Sequence, residues 1–532
     1  MSFFLNPALA CDYYKIGHAV KMQPEGMETA YTTWTARSFK YHNNYRKTVI
    51  FGEQYTIIDL NEYFFNNFFN IPIEILKNEF EEVIANTFDQ TYADFSKFEA
   101  LWKLQYLPLA IMGVPEGTLL PVGIPDHIIY NTHRDFAWLP QFIEDMWSAN
   151  NWLPSTSATT AFYRRRQLRH FVETTCDNPE DTLRHMCGDF SLRGHTSLQA
   201  GCISGAGHLL SFDRTATIGA NVLLKKYYNA KTIPGLGTPS LEHSVVEQGI
   251  ACFKNRIITG DYPEYMTPYI NQALNENWEI NLIAEMCFIL HLITEIQPTG
   301  IMTYVADTYD YWGVVSKILP IIKNVILNRN GCFSIRPDSG KPVNIICGDP
   351  KAEKYSPEYY GTLRCLINIF GSTSNSKNYK VLPNQIRMIY GDAITPEITE
   401  QVGNWCVENH IALNNICFGI GAFTYQYVTR DTRGYCIKAT DCIHEEYGEM
   451  LLYKEPKTDP GKKSPRGCVA VVKKNNSYVM VDHLKLEESI NYEGNVMVLK
   501  FKDGKFFNTE SFETIRNRLD EEEELMDKIK GE

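Results

Sequence analysis

The sequence predicts an α/β fold: a βα core of parallel-sheet or barrel kind, flanked by β-rich segments from both chain ends. Three observations predict it. Four times between about Met302 and Asp431, a short apolar run of strand character ends abruptly in charged or glycine-rich residues. Between those runs, apolar residues recur with helical period. Both flanks carry strand patterns instead, and the C-terminal flank has paired strands with turn signals.

The elements follow in chain order. Asp12-Tyr-Tyr-Lys15 reads as an ordinary helix start, and Ala30 to Ala36 as a strand. Met302 to Ala306 runs into Asp307-Thr-Tyr-Asp310, and Cys332 to Ile335 into Arg336-Pro-Asp-Ser-Gly340. Ile386 to Tyr390 runs into Gly391-Asp392, and Asn415 to Phe418 into Gly419-Ile-Gly-Ala422. Helical patterns cover Val315 to Leu327, Glu358 to Ile369 and Pro396 to Glu408, with Pro396 suited to a first turn. Strand, polar loop, helix, strand is the βα repeat, whose functional groups gather at the C-terminal strand ends. After this core, Cys468 to Val481 reads as a hairpin around Asn475-Asn476, and Val496 to Phe507 as one with an Asp-Gly turn. A helix from Phe512 to Ile529 closes the chain, and its acidic run Asp520 to Glu524 reads as a solvated face.

Composition narrows the function. At 532 residues the chain allows about three or four domain-sized units. With 44% apolar and 21% charged residues it is a globular chain, which excludes disorder, collagen and coiled coil as its main class. The net charge of −12 argues against a general nucleic-acid binder. Small anions would need a local basic pocket. No stretch has the length and apolarity of a transmembrane helix, and the start MSFFLNPALAC lacks a basic segment and a long apolar run, so no signal peptide is expected. The 14 cysteines include no Cys-x-x-Cys pair and no zinc-type spacing, so reduced thiols in a cytoplasm are the expectation.

Asp, Arg and Gly at four strand ends in register suit a phosphate and a metal-bound sugar better than four unrelated turns. Gly188-Asp-Phe-Ser-Leu-Arg-Gly194 offers an aromatic for stacking and an Arg for phosphate, although a core Phe and a salt-bridged Arg are the plainer reading of that motif alone. Glu242 beside His243 could orient an imidazole. Gly419-Ile-Gly-Ala422 could cradle a phosphate with backbone N–H groups. Walker A and Gly-x-Gly-x-x-Gly sequences are absent, which removes support for a P-loop nucleotidase and a dinucleotide dehydrogenase.

Together these motifs resemble the nicotinamide phosphoribosyltransferases, of the type II phosphoribosyltransferase kind. The resemblance covers nearly the whole chain. It rests on Asp12-x-Tyr14-Lys15, Asp189-Phe-x-x-Arg193-Gly194, Leu224-Lys-Lys-Tyr-Tyr228, Glu242-His-Ser244, Asp307-x-Tyr-Asp310, Ile335-Arg-Pro-Asp-Ser-Gly340, Gly391-Asp392 and Thr429-Arg-Asp431. It implies transfer of a phosphoribosyl group from 5-phosphoribosyl 1-pyrophosphate to nicotinamide, a salvage step toward NAD. It further implies Mg²⁺ with the pyrophosphate, ATP as a coupled activator through a phosphorylated histidine, and a homodimer with active sites at the subunit interface. The implied fold is an irregular βα barrel with a β-rich flanking domain. Residues 1–150 would contribute to that domain and the interface, 151–424 would form the barrel with the site, and 425–532 would complete the flanking domain. The resemblance assigns Tyr14 (from the second subunit) and Phe190 to the two faces of the pyridine ring. It places Arg336 and Asp338 at the base and ribose, and Arg193 and His243 at the diphosphate, with His243 the phosphorylated histidine. Asp307, Gly391, Asp392, Gly421 and Ala422 fall at substrate-binding positions. Arg430 and Lys438 match bases reaching phosphates across the interface, and Arg37, Lys454 and Lys462 match outer basic positions.

The sequence departs from the family in places. Ala216 stands where the nicotinamide enzymes carry an Asp that accepts a hydrogen bond from the carboxamide. That loss could relax specificity toward nicotinate, unless Asp213 compensates. Ala422, Ile420 and Gly237 replace a Gly and two Ser of the family. A nicotinate phosphoribosyltransferase and an inactive binding or signalling protein are therefore the rival readings. Intact Arg193, His243, Arg336, Asp338, Asp392 and Arg430 argue against the second of these.

Overall fold

The computed structural model describes residues 5–39, 45–458 and 463–530. Six parallel strands form the core sheet. In spatial order they are Arg214–Thr215, Cys187–Asp189, Ile416–Ile420, Ile386–Tyr390, Asn330–Arg336 and Thr299–Val305. All five pairings are parallel. The two edge strands are joined by the segment 236–241. Leu236 bridges Arg214, and Ser240 bridges Thr303, both in parallel sense. The Leu236 amide donates to Asp213 O at 2.7 Å, and the Thr303 amide to Pro239 O at 2.9 Å. This irregular stave curls the sheet into a closed barrel.

The outward face of the core strands is buried under helices, while alternate residues such as Ser334 and Arg387 face the barrel interior. Ile386, Met388 and Tyr390 are inaccessible, as are Phe333, Ile335 and Phe418. Thr395 caps the Pro396–Glu408 helix by accepting from the Ile398 amide, matching the expected range. The expected helix from Glu358 to Ile369 is instead two, Pro357–Tyr360 and Thr362–Phe370. Gly361 separates them at φ 74°, a left-handed conformation that ends the first helix.

The second sheet is antiparallel and draws on both chain ends. Met27–Thr35 pairs with Cys436–His444 on one side and Pro125–Asn131 on the other. Leu109–Gly113 pairs with Pro125–Asn131 and with Val498–Lys502. The Asn475-Asn476 and Asp503-Gly504 turns have positive φ throughout, the geometry of tight hairpin connections. The 32-residue helix Glu144–Thr175 joins the two units and packs against barrel helices. Residue 150 lies inside it.

One surface expectation is corrected. The run Asp520 to Glu524 is only in part a solvated face: Glu521 and Glu524 are exposed, the others are engaged. Glu523 is buried and binds Arg165 at 2.5 Å, Arg166 at 3.3 Å and Arg169 at 3.2 Å. Asp520 pairs with Arg165 and Arg184. Glu522 is buried as well, bonded to Lys473 and Tyr478. The carboxylates match the arginines of Glu144–Thr175, so the closing helix, Phe512–Lys530, is clamped down by paired charge. No helix is long and apolar enough to cross a membrane among the described residues.

Candidate active site

Eleven of the fourteen expected site residues gather at the C-terminal end of the barrel, set there by its strands, the loops after them and the helix that opens at His243. Thr299–Val305 delivers Asp307. Its Oδ1 takes a 3.0 Å bond from His243 Nε2, and its Oδ2 accepts the Asp338 amide at 3.0 Å. His243 opens the His243–Thr259 helix, just after the stave that closes the barrel. Asn330–Arg336 ends in Arg336, which pairs with Asp338 two residues on at 2.9 Å. The Tyr390 hydroxyl donates to Ser339 O and Gly340 O, each at 3.1 Å, pinning this loop to the next strand.

Electrostatics separates the two carboxylates. Burial pushes Asp307 up, but hydrogen bonds from Ser339, the Asp338 amide and His243 outweigh it, and the group ends below its ordinary range. An ionised Asp307 fixes a proton on His243 Nε2 and leaves Nδ1 as the basic nitrogen. The His243 side chain is 41% exposed, so Nδ1 can be reached. Asp338 is pushed up by burial, with Arg336 opposing and Asp307 adding to the rise.

The aromatic slot is built from glycines. The Phe190 amide donates to Ile420 O at 2.8 Å, which seats the residue between two strands. A Cβ on Gly188 would lie 3.2 Å from the Phe190 ring, and one on Gly419 would lie 3.2 Å from the ring and 2.8 Å from Gly391 Cα. Gly188 and Gly419 thus let their strands close on the ring, and Gly419 lets its strand approach Gly391. Phe190 and Ala216 line a cavity of about 610 Å³ that runs down the barrel past Thr303 and Ser334 to Arg387 and Asn384. Asp189, wholly buried beside them, accepts from the Ser191 amide, Thr215 Oγ1 and Thr217 Oγ1, and its carbonyl takes the Ala216 amide.

Asp213 does not replace the missing acceptor at Ala216. It is ion-paired with Arg516 of the closing helix and is not part of the cavity wall. Arg193 and Asp392 are exposed beside the rim. Three expected residues lie elsewhere in this chain. Tyr14 projects, 52% exposed, from the short Tyr13–Gly17 helix, whose Lys15 is bound to Glu144 and Gln141 O. Lys438 is in the antiparallel sheet and donates to Ile437 O. Arg430 is exposed on the Arg430–Arg433 turn, paired with Asp431. Arg37 donates to Gly434 O, and Lys462 lies outside the described residues.

Sequence reasoning missed Arg164. Buried in the Glu144–Thr175 helix, it binds Thr399 Oγ1 at 2.8 Å, Thr424 Oγ1 at 3.2 Å and Ile394 O at 3.4 Å. It therefore holds the segments after two rim strands from beneath. Three consecutive arginines, 164 to 166, were the available signal.

A curled parallel barrel with an Asp–His pair, an Arg–Asp pair and a ring slot on one rim is the architecture of a type II phosphoribosyltransferase. Residues 185–488 match the nicotinate phosphoribosyltransferase (NAPRTase) family. A curated nicotinamide phosphoribosyltransferase of Acinetobacter baylyi is 34% identical over 531 residues, 98% of each chain. One of Mycoplasma genitalium is 29% identical over 88% of this chain and 96% of its own. Among solved structures, human nicotinic acid phosphoribosyltransferase aligns with TM-score 0.56 at 14% identity, over 97% of this chain and 93% of that one. Nicotinate-nucleotide pyrophosphorylase from Pyrococcus furiosus aligns with TM-score 0.53 at 12% identity, over 99% of both. The chain belongs to the nicotinate phosphoribosyltransferase family.

Proposed function

We propose that the chain transfers the 5-phosphoribosyl group of 5-phosphoribosyl 1-pyrophosphate to nicotinamide, giving nicotinamide mononucleotide and pyrophosphate. The observation that carries this reading is the joining of the Phe190 slot to the Arg336–Asp338–Asp307–His243 cluster on one rim. The curated relatives' names support nicotinamide as the base.

The reaction breaks the C1–oxygen bond to pyrophosphate and forms a C1–nitrogen bond to the pyridine, with positive charge developing on the sugar. Phe190 holds the ring flat and on axis, which removes orientational freedom from the nucleophile. Asp338, held by Arg336, supplies negative charge near the sugar, and Arg193 and His243 receive the leaving group. No enzyme nucleophile attacks the sugar.

Mg²⁺ is proposed to enter on the pyrophosphate. The exposed Asp392 carboxylate and the half-buried Asp338 are single oxygen donors, which suit an ion that keeps phosphate oxygens and water. Bound there, it would neutralise leaving-group charge. ATP coupling is proposed through His243 Nδ1, the nitrogen that the Asp307 bond leaves free.

Ala216, with Asp213 engaged elsewhere, supports nicotinate as a second substrate. Purified protein with phosphoribosyl pyrophosphate, Mg²⁺ and either base decides between them. Faster turnover of nicotinate would overturn the nicotinamide reading, and no product with either base would overturn the enzyme. Ala216→Asp should raise the nicotinamide-to-nicotinate ratio of kcat/KM by at least about tenfold. An unchanged ratio would assign the reading of the carboxamide to another residue.

A further inference from the structure

A second cluster lies far along the fold from the barrel rim, in the antiparallel sheet. Asp441 sits in the Cys436–His444 strand and Glu449 in the adjacent Gly448–Leu451 strand. The register pairs Ile443 with Glu449 and Asp441 with Leu451, so Asp441 and Glu449 are diagonal neighbours on one face. The Cys468–Lys474 hairpin strand begins against that face, and one ligand atom each of Asp441, Glu449 and Cys468 lies within 4.8 Å of the other two. The surroundings are apolar: Cys468 belongs to a core cluster with Tyr31, Met112, Val114, Val469 and Val471.

Asp441 is 1% exposed, and its Oδ1 has no hydrogen-bond partner. An unpartnered buried carboxylate oxygen is costly, and here it faces a second carboxylate and a thiol. Its neighbours offer no cation. The groups that act on Asp441 are Glu449 and Cys468, and those on Cys468 are Asp441, Glu449 and the Ser489 hydroxyl. A proton or a cation must neutralise the group, and the cluster's geometry offers a cation three ligand atoms. Glu449 is already oriented, because its Oε1 accepts the Leu486 amide at 2.6 Å. That leaves Oε2 as its second donor, the arrangement in which an outer hydrogen bond aims a metal ligand. Glu449 is half-buried, so the site has a path to solvent.

We propose that Asp441, Glu449 and Cys468 bind one divalent transition-metal ion of the zinc type, with solvent in the fourth position. A thiolate with two carboxylates selects a borderline-soft tetrahedral ion over Mg²⁺ or Ca²⁺. Three anionic donors against a dipositive ion leave a net charge of −1, with the ion taking the place of the protons that the metal-free cluster holds. The metal–sulfur bond forms as the thiol proton leaves to solvent, together with any proton held between the two carboxylates. The ion would tie the hairpin to the sheet edge, so its role is structural.

The test uses the full-length protein, stripped with a chelator and titrated with Zn²⁺ against a competing indicator, and with Co²⁺ in the absorption spectrum. Wild type should bind one tight equivalent and show a thiolate-to-cobalt charge-transfer band. Cys468→Ser should abolish the band and weaken the tight equivalent by at least about tenfold. Asp441→Asn should do the same to affinity while leaving the metal-free protein folded, because it removes a buried charge and keeps the shape. Phosphoribosyl transfer by the two variants, assayed with Mg²⁺, should match wild type. Equal stoichiometry and an unchanged cobalt band in both variants would assign the metal to other cysteines and overturn the proposal. So would a wild type with no tight equivalent.

Discussion

Asp307 ties three parts of the rim through one carboxylate: the Thr299–Val305 strand that carries it, the imidazole at 3.0 Å and the Asp338 backbone at 3.0 Å. It acts through His243 and the Arg336-Pro-Asp loop, so it is a positioning residue. Asp307→Asn keeps the shape but can present an N–H where His243 needs an acceptor. Steady-state kinetics should show kcat/KM lower by at least about tenfold and loss of the gain from ATP, with an unchanged melting temperature. Normal ATP coupling in that variant would detach His243 orientation from Asp307. Further from the rim, Glu285 is buried under the same strand and accepts from the Tyr304 hydroxyl at 3.0 Å. Burial pushes its carboxyl up to about 8, against an ordinary value of 4.5. The folded state therefore holds a proton that the unfolded state has released, and stability falls as pH rises through that window. Glu285→Gln keeps the acceptor for Tyr304 and removes the titration. Its melting temperature should exceed wild type more at about pH 9 than at about pH 6. An equal difference at both would show that Glu285 is ionised in the folded protein.

Elements whose signals are local were legible in the sequence. Pro396–Glu408 has its Thr cap, its Pro and an apolar stripe, and Ile386–Tyr390 has a buried alternation that ends at a glycine. The two hairpins were marked by Asn-Asn and Asp-Gly turns. The elements that close the barrel were not legible. Cys187–Asp189 and Arg214–Thr215 have three and two residues, too few for any period, and the 236–241 stave makes only isolated bridges. Long-range charge pairing hid the rest. The acidic run of the last helix is indistinguishable from a solvated face until Arg165, some 350 residues earlier, is brought against it. Most of the rim was readable because its polar residues follow strand ends directly, whereas Arg164 works from a helix beneath. The glycine contacts of the rim give a prediction at this scale. Gly419→Ala places a Cβ 2.8 Å from Gly391 Cα and 3.2 Å from the Phe190 ring, and two parallel strands cannot separate freely. KM for nicotinamide should rise by at least about tenfold with the fold retained by circular dichroism, because the ring must tilt out of the slot. An unaffected KM would show that Phe190 does not define that slot.

At the scale of the molecule, one chain supplies only part of the expected site. Phe190, Arg336, Asp338 and His243 share a rim, while Tyr14 projects from the N-terminal helix, and Arg430 and Lys438 are carried toward the antiparallel sheet. Leu198, Ile218, Val222 and Ile233 are exposed apolar side chains on segments around the rim. We propose that the chain forms a twofold dimer in which Tyr14 of each copy serves the Phe190 slot of the other. This arrangement can be tested by complementation. Tyr14→Ala and Asp338→Ala should each be nearly inactive alone. If Tyr14 serves its own chain's slot, a mixture of the two remains inactive. If it serves the other copy's, each mixed dimer has one site with both defects and one with neither. Unfolding and refolding the two in equal amounts gives half mixed dimers with one good site of two, so activity should recover to about a quarter of wild type. Recovery should follow the fraction of mixed dimers as the mixing ratio is varied. Simple mixing without subunit exchange should give none.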